Sequence, residues 1–293
     1  MRYLRRSEPL GKVRDLHTVG IVLGPYRNLT TLTVSVLSLH PECQVLNHAG
    51  ERTLTAKRDF IADTSQVKFR DFCATALEES ESGKRGKYGG SILLSHAFDD
   101  EQLRQFYHAR YGDSVSKERP RCLVWKEPQW ITERIRQTPD TISRVVEILP
   151  QTRFLLPVRD PFACAKSNLK TGHARRIKGI EQTPSGVLEW ILENAAWFAG
   201  LAKQYPGRFL MFYEDDPASE LADGLIECLE LEDDQQWRAA VDVAFNVRTV
   251  PYEHEPEMYA TFQRSVDRWY ADLPKVAERL KAIAGGSSGK RAP

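Results

Sequence analysis

No run in this chain of 293 residues approaches the roughly 20 consecutive apolar residues that a membrane helix needs, so no membrane span is expected. The opening stretch, MRYLRRSEPLGKVRDLH, lacks the apolar core of a secretory signal. Cysteine is scarce. The five present (Cys43, Cys73, Cys122, Cys164 and Cys228) are odd in number and lack C-x-x-C spacing. That argues against a disulfide framework or a zinc site and fits a reducing compartment, so a cytoplasmic location is expected. Net charge is nearly absent as well: 41 basic against 40 acidic residues leave +1. No global field draws the chain to nucleic acid or to an anionic membrane surface, and any anion site must be local. There is no internal repeat and no long linker. What remains is a composition of 41% hydrophobic and 28% charged residues, ordinary for a globular protein and ample for a substantial core. A single domain over residues 1–283 is expected, with a disordered tail over 284–293.

Short apolar runs alternate with longer helical patterns. HTVGIVL (17–23), CQVLN (43–47), RCLVW (121–125), RFLLPVR (153–159) and RFLMFY (208–213) are expected strands. Helices are expected over 30–39, 58–77, 99–112, 140–149, after Pro161 and over about 185–204, with a mostly helical C-terminal part. The Gly-rich polar segment 79–90 reads as a mobile loop. Strand and helix in alternation predict an α/β fold with a central parallel sheet flanked by helices. The continuous apolarity of VGIVL and FLLPV fits strands covered on both faces. Ligands in such folds bind beyond the carboxyl ends of the strands. That rule brings residues 24–31, 125–128, 159–167 and 213–215 to one rim.

Two rim segments suit an anion. GPYRNLTTL (24–32) is a strand-to-helix turn, where unpaired N–H groups and the helix dipole favour negative charge. Arg27 adds a charge, and Thr30 and Thr31 add hydroxyls. In the second segment Arg159 ends a strand, Pro161 suits the first turn of a helix, and Ser167 follows Arg159 by eight residues. An arginine can grip a phosphate with two parallel hydrogen bonds. Neither segment is a Walker A loop, for G-x-x-x-x-G-K-[ST] is absent.

Taken together, these segments resemble the sulfotransferase family, whose donor is 3′-phosphoadenosine 5′-phosphosulfate (PAPS). Pro25 to Thr31 is similar to the family's P-[KR]-S-G-T-T-like loop for the 5′-phosphosulfate. Arg159 and Ser167 match its arginine and serine, eight apart, for the 3′-phosphate. HPE (40–42), FYEDD (212–216) and SVDRWYADL (265–273) look like further family segments, and the likeness spans about residues 17–275. It implies a P-loop-NTPase-like sulfotransferase architecture and a donor site of Arg27, Asn28, Leu29, Thr30, Thr31, Arg159 and Ser167. It implies transfer to a hydroxyl or amine on a small-molecule, glycan or lipid acceptor, with no metal and no nucleic acid. One departure is plain. Asn28-Leu29 stands where the family has Ser-Gly, and leucine there must keep a negative φ or carry strain.

Sulfuryl transfer requires alignment, charge neutralisation and a proton acceptor. Lys126, at the end of its strand, is the candidate for contact with the transferring group. The resemblance implies a base some eight residues after the H-P histidine, where many bacterial members carry a glutamate; counting from His40 puts His48 there as the candidate base, with Glu51 and Glu127 as rivals. The basic run 172–179 is either a solvated loop or an acceptor or nucleotide contact. Two other readings stay open: a nucleotide-binding relative without turnover, and, less favoured, a P-loop phosphotransferase.

Overall fold

The computed structural model describes residues 8–82, 85–86, 89–138, 140–245 and 255–286. In chain order the first elements are α1 (Glu8–Arg14), β1 (Thr18–Val22), α2 (Thr30–Leu39), β2 (Cys43–His48), α3 (Gly50–Thr53) and α4 (Gln66–Glu81). Next come β3 (Arg85–Gly86), β4 (Gly89–Ser91), α5 (Glu101–Tyr111), β5 (Cys122–Lys126), α6 (Pro128–Gln137) and α7 (Thr141–Ile148). The remainder is β6 (Thr152–Val158), α8 (Pro161–Lys170), α9 (Pro184–Gln204), β7 (Phe209–Tyr213), α10 (Ala218–Leu229), α11 (Gln235–Phe245), α12 (Pro256–Trp269) and α13 (Pro274–Gly286).

Among the described residues, seven strands join one sheet in the order β3-β4-β2-β5-β1-β6-β7. The five from β2 to β7 in that order run parallel. The two short strands at the edge pair antiparallel. The expected α/β fold with a central parallel sheet and flanking helices is therefore what the chain adopts. Every residue of β1, β5 and β6 is buried, as their unbroken apolarity requires. Alternate side chains feed two cores. Ile21, Trp125 and Phe154 face one, with α4, α8 and α9; Val22, Val124 and Leu155 face the other, with α2, α10 and α11.

Two expected elements differ. The helix expected over 58–77 begins only at Gln66, with Ser65 accepting a hydrogen bond from the Lys68 N–H as its cap. Upstream, Asp59 accepts from the Ala62 N–H and closes a turn, while Phe60 and Ile61 enter the core. Their burial keeps the apolar spacing that looked helical. The segment read as a mobile loop over 79–90 contains the end of α4 and the backbone of β3 and β4, which extends the sheet beyond β2. Of the tail 284–293, residues 284–286 complete α13, and 287–293 lie outside the described residues. Among the described residues no helix is long and apolar enough to cross a membrane.

Candidate active site

The carboxyl ends of β1, β2, β5 and β6 open onto a cleft of about 800 Å³. Arg27, Leu29, Thr30, Thr31, His48, Lys126 and Arg159 line it. Asn28 and Ser167 sit behind the wall, 3% and 6% exposed.

The turn after β1 is built on left-handed backbone. Arg27 (φ 61) and Leu29 (φ 58) both have positive φ, so Leu29 adopts the conformation a glycine would take freely. For a residue with a Cβ this costs about 1–2 kcal/mol. Contacts on the side chain between them hold the turn. Asn28 donates through Nδ2 to the Pro157 carbonyl and accepts from the Arg159 N–H at 3.1 Å, which stitches the turn to the end of β6. Leu29 occupies the cap position of α2 but cannot cap it with a side-chain hydrogen bond. The first N–H groups of α2 have no intrahelical partner, and they face this end of the cleft with the positive end of the helix dipole.

Arg27 brings the two anion segments together. Its Nε donates to Ser167 Oγ at 3.0 Å, while its carbonyl accepts from Arg159 Nη1 at 3.4 Å. Asp160 caps α8 by accepting from the Phe162 N–H, with Pro161 in the first turn as the sequence suggested. The Arg159 Nε is buried and finds no hydrogen-bond partner among the described residues. Nearby, Glu214 accepts the Asp160 N–H at 2.7 Å, and burial raises its pKa.

At the other end of the rim, Glu127 is the hub. It precedes α6 but does not cap it with its side chain. Instead its Oε1 accepts from Tyr26 Oη at 3.0 Å and meets His48 Nδ1 at 3.1 Å, and its Oε2 accepts from the Gly50 N–H at 3.3 Å. Burial would raise the Glu127 pKa, but the hydrogen bonds and charge of these partners outweigh it and hold the carboxyl below its ordinary range. The same carboxylate, with burial as the larger cause, drives the Tyr26 phenol upward.

A carboxylate only accepts, so the bonding pattern places the His48 proton on Nδ1. Nε2 is then the lone-pair nitrogen. It lies 3.0 Å from Lys126 Nζ, which also donates to Asn47 Oδ1 at 3.2 Å. His48 itself is left-handed (φ 60), as is Ala49 (φ 67). Trp125, fully buried against Phe72, donates from its indole to the His48 carbonyl at 3.0 Å. Gly89 of β4 pairs with His48 across the sheet edge. The segment read as a loop thus buttresses the histidine.

Of the rivals, Glu51 also lines the cleft, and it is Glu127 that is bonded to His48. His40 is a structural anchor: Nδ1 accepts from the Glu42 N–H, Nε2 meets the Glu232 carbonyl, and the ring packs edge-on against Trp237. The basic run over 172–179 sends His173 and Arg176 to the cleft. The His173 ring lies 4.9 Å from the Tyr26 ring, and Arg176 sits 5.8 Å from the same ring's centre. Burial first, then the charges of Arg176 and Arg27, lower the His173 pKa. Sequence reasoning passed over Tyr26 as a ligand-side residue, and it passed over Gln129, Trp130 and Glu133 of α6. Their one signal was position, directly after a strand end already assigned to the rim.

No protein-family model matches the chain, and no curated protein matches it. Among solved structures it is similar to sulfotransferase STF9 from Mycobacterium avium, with 12% identity, a TM-score of 0.45, and coverage of 90% of this chain and 80% of that one. It is also similar to mouse sulfotransferase SULT7A1 complexed with PAP, with 11% identity, a TM-score of 0.44, and coverage of 97% and 95%. A third is the sulfotransferase domain from the curacin biosynthetic pathway, with 15% identity, a TM-score of 0.42, and coverage of 85% and 97%. At these scores the likenesses carry no weight for the chemistry of this chain, which its own residues must support.

Proposed function

We propose that the chain is a sulfotransferase that moves a sulfuryl group from PAPS to a hydroxyl or amine of a small-molecule acceptor. One observation carries this reading. An uncapped helix N-terminus flanked by Arg27 and Arg159, with Ser167 bonded to Arg27 behind the wall, shares a cleft with a His48–Glu127 pair and Lys126. The first half suits phosphate groups and the second suits proton removal.

The residues present fit the nucleotide on structural grounds. Among the described residues, the N–H groups at the start of α2 have no side-chain cap and the buried Arg159 Nε has no partner. Both are donors left for an anion. Arg27, Thr30, Thr31 and the α2 N–H groups would hold the 5′-phosphosulfate, and Arg159 with Ser167 the 3′-phosphate. Asn28 fixes the turn from behind. PAPS, when bound, supplies the sulfuryl group and a phosphate leaving group.

The remaining work falls to the chain. Glu127 holds the imidazole of His48 with Nδ1 protonated, which leaves Nε2 as the base for the acceptor proton. Glu127 then faces the imidazolium that forms and stabilises it. Lys126 must leave Nε2 for the acceptor to reach it. Asn47 remains as its second anchor, and the freed ammonium neutralises charge on the transferring group. Tyr26 and the Gly50 N–H keep the Glu127 carboxylate oriented.

Calorimetric titration with 3′-phosphoadenosine 5′-phosphate (PAP) tests the nucleotide half. Binding is expected, with a strong preference over the 3′-dephosphorylated nucleotide that Arg159→Ala abolishes. ATP binding that depends on Mg²⁺, with no PAP binding, would replace this reading with phosphotransfer. PAP binding without turnover of radiolabelled PAPS over an acceptor panel would assign a non-catalytic nucleotide-binding relative.

A further inference from the structure

The cleft is not uniform in charge. Arg27, Lys126, Arg159 and Arg176 line it, and so do Glu51, Glu127 and Glu133, of which Glu127 is bonded to Tyr26, His48 and Gly50. Glu133 and Gln129 lie one helical turn apart on α6 and so share a face. Trp130 lies between them in sequence and also lines the cleft.

The α6 wall has unmet hydrogen-bonding capacity. Gln129 is 2% exposed and lines the cleft; its Nε2 donates to Glu133 Oε1 at 3.2 Å, while its Oε1 has no hydrogen-bond partner among the described residues. A buried acceptor without a donor is costly and invites one. Half-buried Glu133 has its pKa raised by burial, against smaller opposing effects from the Gln129 hydrogen bond and the Lys178 charge. A carboxylate in that state gains from an incoming cation. Arg134, whose guanidinium carbon is 5.6 Å from the Trp130 ring centre, is already paired to Asp59.

We propose that Glu133 and Gln129 Oε1 of α6, with Glu51 of α3 lining the same cleft, bind a protonated amine carried by a hydroxyl-bearing acceptor. The inference rests on the sulfuryl-transfer reading and narrows its acceptor. An ammonium has three donors and no acceptor, which matches two carboxylates and one unfilled carbonyl oxygen. Trp130 offers an aromatic wall for the acceptor's apolar part. Carboxylate-bearing or polyanionic acceptors meet repulsion at Glu51 and Glu133, which gives selectivity through exclusion as well as attraction.

Three probes share one phenol nucleophile and differ in charge: tyramine, N-acetyltyramine and 4-hydroxyphenylacetate. With the full chain and radiolabelled PAPS, kcat/KM for tyramine should exceed that for N-acetyltyramine by about tenfold, and 4-hydroxyphenylacetate should be the poorest. Glu133→Gln should pull the tyramine to N-acetyltyramine ratio toward one, and Glu133→Lys should raise the standing of 4-hydroxyphenylacetate. Equal rates for the three probes, or preference for the anion, would overturn the inference. So would an unchanged ratio in Glu133→Gln. Calorimetry of tyramine binding is run in parallel on the PAP-loaded and nucleotide-free chain. If PAP fails to bind, the donor reading falls, and tyramine binding that weakens in Glu133→Gln still upholds the amine site. If PAP binds and tyramine does not, the amine site falls and the donor reading stands.

Discussion

Leu29 is the residue where the sequence posed an alternative that only coordinates could decide. It keeps the left-handed turn and accepts the strain, because Asn28 is bonded on both its amide atoms to the end of β6 and leaves the turn little freedom. Leu29→Gly therefore relieves a backbone penalty of about 1–2 kcal/mol without changing the path of the turn. PAP affinity should hold or tighten; a large loss would mean that the leucine side chain is itself part of the donor site. Lys117 makes a second residue-scale case, remote from the cleft. It is 4% exposed, its Nζ has no hydrogen-bond partner among the described residues, and it lies 3.0 Å from the centre of the Tyr111 ring. Burial lowers its pKa to about 6. The unfolded chain then holds a proton that the folded chain lacks between about pH 6 and the ordinary lysine value near 10. Stability should rise with pH across that window and lose this contribution as pH falls. Lys117→Met should raise the melting temperature at neutral pH and flatten the pH slope; a lowered melting temperature with an unchanged slope would contradict the assignment.

The elements around the cleft depend on one close approach. Gly50 opens α3, and a Cβ added there would sit 2.9 Å from Trp130 Cζ3, 3.1 Å from its Cε3 and 3.2 Å from Glu127 Cγ. α3 and the start of α6 thus meet where only glycine fits. Gly50→Ala should push Trp130 and Glu127 outward and loosen the Glu127–His48 bond. Turnover should fall at least tenfold while the melting temperature drops by only a few degrees, an outcome read by kinetics and calorimetry on one preparation. Unchanged turnover would show that the Glu127 position does not govern the chemistry. Legibility in the sequence follows the same physics. β1, β5 and β6 were readable because burial on both faces demands unbroken apolarity. The strand pair β3 and β4 was not, because its glycine and polar residues signal a loop and β2 supplies the pairing. The turn at 59–63 was misread because Phe60 and Ile61 keep a helical spacing of apolar residues while Asp59 diverts the backbone.

At the scale of the whole molecule, the parallel sheet brings the ends of β1, β2, β5 and β6 to one rim. The order of strands placed β1 between β5 and β6, so Arg27, Lys126 and Arg159 reach the same cleft from segments more than 130 residues apart at the extremes. The rim could be read from the alternation of strands and helices alone. The hub could not: Glu127 was visible only as a rival to His48, and no spacing in the sequence reveals that the two share a hydrogen bond. Nor does sequence show that Tyr26 and Gly50 hold the same carboxylate. The account stands on the proton acceptor being His48 oriented by Glu127. It is tested most directly by the turnover of radiolabelled PAPS by His48→Ala beside the unaltered chain, with PAP affinity and melting temperature taken on the same preparations. The account predicts a fall in kcat of roughly 10²–10⁴ with nucleotide affinity little changed. Turnover per folded molecule that survives in His48→Ala but collapses in Glu51→Ala would contradict it.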